Sequence, residues 1–126
     1  MAAIERILVV DDDRDIAGLL ELKLSTLGYK VAVHHRTLGD LERAREYGPQ
    51  LILLDVMLAD GLGFQVAREL RKEPALYQSQ ILFQSVVSDV REISHAYAEG
   101  GDGYLTKPYT MDALSQALQR MESEIE

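Results

Sequence analysis

Five side chains of this sequence have the types and spacing for phosphate chemistry: Asp11, Asp12, Asp55, Ser85 and Lys107. Asp55 ends the apolar run LILL at 51–54 and opens the glycine-bearing stretch VMLADGLG. A carboxylate at the end of a buried strand leaves the sheet at its edge, where it can meet solvent, metal and ligand without burying an unpaired charge. An ionised carboxylate can attack phosphorus in line without a general base, so Asp55 fits a phosphate acceptor. Ser85 can offer a hydroxyl to the transferred group's oxygens. Three carboxylates in one crevice raise each other's pKa unless a cation joins them. Hard oxygen ligands with room for water suit Mg²⁺. Three carboxylates, one Mg²⁺ and Lys107 then sum to zero formal charge.

The elements that must position these groups follow from the apolar pattern. Short aliphatic runs at 7–10, 29–33, 51–54, 80–85 and 103–106 predict five strands, those at 7–10 and 51–54 buried on both faces. Between them, three- and four-residue apolar spacing predicts helices. The first begins near Arg14 with Ile16, Leu19, Leu20, Leu24 and Leu27 on one stripe and stops at Gly28. A second is capped by Thr37 and runs to Tyr47. A third carries Phe64, Ala67 and Leu70 and stops before Pro74. A fourth is capped by Ser88, with Val90, Ile93 and Tyr97. The last is capped by Thr110, with Met111, Leu114, Leu118, Met121 and Ile125. Five alternations of strand and helix require right-handed crossovers, hence an α/β, doubly wound five-stranded parallel sheet with five helices. In such a sheet ligands gather at the carboxyl ends of the strands, where all five chemical candidates fall. With strand order 2-1-3-4-5, the flavodoxin-like order, Asp11, Asp12 and Asp55 meet at the switch point.

Length and charge limit what else the chain does. With 126 residues it forms one domain, and its 47% apolar and 27% charged residues are globular values. No apolar run approaches a bilayer span, and the first ten residues do not read as a signal peptide. The absence of cysteine is compatible with a reducing, cytoplasmic setting. A net charge of −8, with no basic stripe, argues against direct nucleic-acid binding.

VVDD at 9–12, LLDVML at 53–58, Ser85 after its apolar strand, and GGDGYLTKPY at 100–109 together resemble the receiver domain of two-component response regulators. The resemblance covers essentially the whole of 1–126 as a single domain. It implies a phosphorelay module, not a conventional enzyme, that promotes its own phosphorylation and dephosphorylation. Asp55 then matches the phosphoacceptor, Asp12 the direct Mg²⁺ ligand and Asp11 the second acidic position. Met57 would give its backbone carbonyl to the metal. Lys107 and Ser85 match the family's lysine and switch hydroxyl, Tyr104 its rotating aromatic, and the Lys107–Pro108 bond its cis peptide. The implied partners are a histidine kinase or phosphotransfer protein upstream and a downstream protein or effector domain. The implied output face is the fourth helix, fifth strand and fifth helix, with a homodimer on phosphorylation as one possible outcome. A stand-alone receiver and a domain of a longer regulator both fit the sequence.

Ala59 and Leu62 depart from the family pattern in the acceptor loop. Val86 occupies a position that usually carries Ala or Gly, and a β-branched side chain there is expected to narrow access or alter the switch; with Met57 and Val87 also apolar near the site, slow self-dephosphorylation is expected. This keeps open a phosphorylation-independent interaction module. A haloacid-dehalogenase-like phosphatase is a third reading, weakened by the lack of a cap domain and of a final acidic pair. Asp13 reads better as a helix cap than as a ligand, and His34, His35 and His95 lack ligand spacing and are expected to be solvated. Gln84 has no assigned role; inside a sheet covered on both faces it requires a hydrogen-bond partner.

Overall fold

The computed structural model describes residues 4–35, 41–58, 61–76 and 78–124. Five strands form one parallel sheet: β1 (Arg6–Val10), β2 (Lys30–His34), β3 (Leu51–Asp55), β6 (Gln80–Ser85) and β7 (Gly103–Thr106). Their order is β2-β1-β3-β6-β7, the doubly wound arrangement expected. Two further strands, β4 (Met57–Leu58) and β5 (Gly61–Leu62), pair antiparallel just after Asp55, a small hairpin with no apolar run long enough to announce it. The helices are α1 (Arg14–Thr26), α2 (Leu41–Tyr47), α3 (Gly63–Lys72), α4 (Val90–Ala98) and α5 (Met111–Ser123).

Strand alternation divides the core in two. Leu8, Ile52, Leu54, Ile81 and Phe83 pack on one face with Ala44 of α2, Phe64 and Leu70 of α3 and Ala96 of α4. Ile7, Val9, Leu51, Leu53 and Leu82 pack on the other with Leu20 and Leu24 of α1 and Leu114, Leu118 and Met121 of α5. Most of these side chains are within a few per cent of full burial. Each fully buried Leu, Ile or Phe contributes ~1.5–3 kcal/mol over its exposed state, so the central strands anchor the sheet edge that carries the candidate site. Arg71 ties α3 to the neighbouring loops, donating to the carbonyls of Ser79 and Gly100 and to Asp102 Oδ2 at 2.7 Å.

Several helix faces differ from expectation. In α1 the buried stripe is Ala17, Leu20 and Leu24, while Ile16, Leu19 and Leu27 are exposed. The apolar residues there cover more than one face, and the sheet takes the one on which small Ala17 permits close approach. In α4 only Ala96 is buried; Val90 and Tyr97 are exposed and Ile93 is half-buried. Its N-cap is Asp89, not Ser88, because the Asp89 carboxylate accepts from Arg91 N at 2.6 Å. β2 begins at Lys30, one residue later than read, and includes His34. Asp13 caps α1 by accepting from Asp15 N and Ile16 N, and Thr110 caps α5 through Ala113 N. Gly28, at φ +101°, stops α1 in a conformation that favours glycine. Thr37, Ala59, Ile125 and the side chain of Leu62 lie outside the described residues.

Candidate functional site

The carboxyl ends of β1, β3, β6 and β7 lie consecutively along one edge of the sheet. Asp11 follows β1 and Asp55 ends β3; both are buried, at 1% and 7% exposure. Lys107, just past β7, donates from Nζ to Asp55 Oδ2 at 2.7 Å and lies 3.5 Å from Asp11 Oδ2. Asp55 Oδ1 accepts from Met57 N at 3.1 Å, and Asp11 Oδ1 from Asp13 N at 2.9 Å. The Lys107–Pro108 peptide is cis.

Burial pushes the Asp11 carboxyl above its ordinary pKa; the Asp13 N–H and the Lys107 charge pull it back, and the Asp55 charge adds to the rise. Burial also opposes the charge on Lys107. The hydrogen bond to Asp55 and the charges of Asp55 and Asp11 outweigh it, so the ammonium is held above its ordinary value. Lys107 is therefore a fixed cation bridging two strand ends.

The third acid is arranged differently. Asp12 is exposed, and among the described residues no three carboxylate or imidazole groups form a gathered metal cluster. Two carboxylates converge on the ammonium, which they can do without mutual repulsion going unanswered. The donor set is nevertheless all oxygen and electrically incomplete: two buried carboxylates and the neighbouring Asp12 against one ammonium. That chemistry fits a hard divalent cation.

Ser85, 1% exposed, belongs to the opposite face of the sheet from Asp11 and Asp55, as strand alternation requires. Its hydroxyl donates to Glu92 Oε2 of α4 at 3.2 Å and accepts from Val87 N at 3.1 Å. The same Glu92 oxygen lies 2.6 Å from the Tyr104 hydroxyl, which also meets Val87 O at 2.6 Å. Burial and then the Glu92 hydrogen bond push the Tyr104 phenol up to about 12. One carboxylate of α4 thus holds both hydroxyls.

Gln84, wholly buried, has its partners: Nε2 donates to Asp11 Oδ2 at 3.3 Å, and Oε1 accepts from Tyr109 OH at 2.6 Å. Val86 is 71% exposed and stands with Ile16, Leu19, Lys107 and Pro108 around a mainly apolar cavity of about 410 Å³. His35 is not simply solvated, since its Nδ1 lies 3.1 Å from Asp11 O, whereas His95 is exposed as expected, its ring tilted at 41° to that of Phe64 with centroids 4.5 Å apart.

Residues 7–119 match the family model of the response regulator receiver domain. This chain belongs to the response regulator receiver family. The receiver is 32% identical over 120 residues to the nisin biosynthesis regulatory protein NisR of Lactococcus lactis, covering 95% of this chain and 50% of the relative. It is 34% identical to the uncharacterized transcriptional regulatory protein YkoG of Bacillus subtilis, covering 86% of this chain and 46% of the relative. The chain therefore spans about half the length of these curated relatives. Among solved structures, the chemotaxis protein CheY4 of Vibrio cholerae superposes with a TM-score of 0.87 at 25% identity, covering 94% of this chain and 98% of that one. Receivers are signalling modules of two-component regulatory systems.

Gln84, Tyr109 and Glu92 were not legible as parts of the receiver's site. Gln84 carried the strongest hint, as a polar residue inside the run ILFQS.

Proposed function

We propose that this receiver accepts a phosphoryl group on Asp55 from a phosphohistidine donor. The observation that carries the reading is Lys107, held 2.7 Å from Asp55 and 3.5 Å from Asp11 where strand ends converge. The Asp55 carboxylate attacks phosphorus, the phosphorus–nitrogen bond of the donor breaks, and its electron pair leaves with the imidazole, giving an aspartyl phosphate. Lys107 stays against the acceptor and offsets charge on the transferred group, while Met57 N–H steadies the acceptor's other oxygen. Asp11, Asp12, Asp55 and the Met57 carbonyl would hold Mg²⁺, which supplies charge neutralisation for the phosphoryl oxygens.

Ser85 and Tyr104 are the switch pair of this reading. Their release from Glu92 would let α4, β7 and α5 change their surface, on which Val90 and Tyr97 are already exposed. A histidine kinase or phosphotransfer protein is the fitting donor. A downstream protein, or an effector domain of a longer chain, is the fitting target, since relatives named as transcriptional regulatory proteins are about twice the matched length. Homodimerisation on phosphorylation and a cytoplasmic location accord with this. Among the described residues no helix is long and apolar enough to cross a membrane.

Incubation with Mg²⁺ and a small phosphodonor should add one phosphoryl group to the wild type and none to Asp55→Asn. Absence of the mass gain would support instead a phosphorylation-independent interaction module, which the exposed Val86 beside Lys107 keeps in view. Continuous turnover of phosphate monoesters would support a phosphatase.

A further inference from the structure

β6 lies between β3 and β7, and Gln84 pairs in register with Asp55 on one side and Leu105 on the other. An amide buried there without partners would be destabilising, whereas leucine would fill similar space with no polar demand. The amide has a defined task for each end. Its oxygen takes the Tyr109 hydroxyl at 2.6 Å and its nitrogen faces Asp11 Oδ2 at 3.3 Å. Turning the amide over would set its oxygen against the Asp11 carboxylate and its NH₂ against the phenol hydrogen, so the charge on Asp11 fixes its orientation. Tyr109 is a dependable donor, because burial and then the charges of Asp11 and Asp55 hold its phenol protonated.

Asp11 is thereby gripped from separate parts of the chain: Asp13 N at the start of α1, Gln84 Nε2 from β6, and Lys107 from the segment after β7. Of the two side chains, Gln84 is the donor that adds no charge. A second lysine would orient the carboxylate and also discharge the site; a neutral amide orients it while leaving the negative charge that attracts a divalent cation.

We propose that Gln84, locked by Tyr109, is a positioning residue for the cation site, setting the Asp11 carboxylate beside Asp55 before a divalent ion arrives. The proposal rests on the reading of Asp11, Asp12 and Asp55 as a Mg²⁺ site. Groups that orient metal ligands from behind typically change metal affinity 10–100-fold when removed. Mg²⁺ titration of the unphosphorylated protein, followed by amide NMR shifts, should show Gln84→Leu binding about tenfold more weakly with its fold retained. Tyr109→Phe should weaken binding by a smaller factor, and the double variant should be no worse than Gln84→Leu, because the two residues act in series. A Gln84→Leu affinity within twofold of wild type, or additive losses in the double variant, would overturn the role of Gln84 while leaving the metal site standing. A wild type without saturable Mg²⁺ binding would overturn both. If Gln84→Leu fails to fold, Tyr109→Phe carries the test, and an unchanged affinity in it overturns the proposal.

Discussion

Replacing Lys107 by methionine keeps most of the side chain's apolar stem and removes one charge from between two buried carboxylates. At an effective dielectric constant of about 20, an ammonium attracts a carboxylate by about 6 kcal/mol at 2.7 Å and about 5 kcal/mol at 3.5 Å, the distances to Asp55 and Asp11. Those gross attractions are partly offset by the desolvation that Lys107 no longer undergoes. The net cost of leaving a buried pair broken is ~3–5 kcal/mol. Lys107→Met should therefore be about 3 kcal/mol less stable than wild type in urea melts run with EDTA. The deficit should then shrink in saturating MgCl₂. With the ammonium gone, the variant's carboxylates have more to gain from a divalent ion, and each tenfold tightening of binding returns ~1.4 kcal/mol. Comparing both proteins with and without Mg²⁺ isolates this coupling. A variant as stable as wild type in EDTA, or a deficit that Mg²⁺ leaves unchanged, would refute the account of Lys107 as the site's resident counter-ion.

Freeing the switch pair gives a second expectation: Glu92→Ala should let Ser85 and Tyr104 leave α4, raising the initial rate of phosphorylation by a small phosphodonor severalfold, and an unchanged rate would count against the Glu92 tie. Gly63→Ala should cost about 1–3 kcal/mol in thermal or urea unfolding, because a Cβ there overlaps the Asp55 carbonyl oxygen and crowds Val56 Cα at 3.1 Å, backbone that cannot swing aside; a loss under about 0.5 kcal/mol, the usual range for innocuous surface changes, would contradict this packing. Tyr29 and Tyr104 are both pushed up to about 12, Tyr29 by burial and then Glu122, Tyr104 by burial and then Glu92. The folded state thus holds protons the unfolded chain has lost, so their contribution is full below about pH 10, the ordinary tyrosine value, and is lost as pH rises towards about 12. Tyr104→Phe should flatten that decline in alkaline melts followed with tyrosinate absorbance; an unchanged slope would argue against the shift. Val86→Ala should shorten the aspartyl phosphate lifetime if the valine hinders attacking water, and an unaltered half-life would remove that role.

The sheet was legible because fully buried parallel strands read as uninterrupted aliphatic runs. LILL at 51–54 and the strands Gln80–Ser85 and Gly103–Thr106 stand where the sequence puts them. Helix existence was legible for the same periodic reason, but the buried face of α1 was not. Ile16, Leu19 and Leu27 satisfy the helical spacing as well as Leu20 and Leu24 do, and packing against the sheet decides among them. The Asp89 cap was missed because Ser88 is equally apt by residue type, and only the turn geometry distinguishes the two. At the candidate site, Asp11, Asp55 and Lys107 could be placed together from their positions at strand ends. The groups behind them could not. Gln84 reaches Asp11 across 73 positions of sequence and Tyr109 across 25, contacts that local patterning does not encode.

Gln84 and Ser85 are consecutive, yet one serves Asp11 from the α1 and α5 side and the other serves Glu92 from the α4 side. The sheet therefore keeps the amide that faces Asp11 and the hydroxyl held by Glu92 in separate compartments, each assigned by whether its position in β6 is odd or even. Substitution leaves that parity intact, whereas deleting or inserting one residue early in β6 turns both side chains to the opposite faces, taking the amide from Asp11 and the hydroxyl from Glu92. Strand length in β6 is thus a constraint in its own right, separate from the choice of any one side chain.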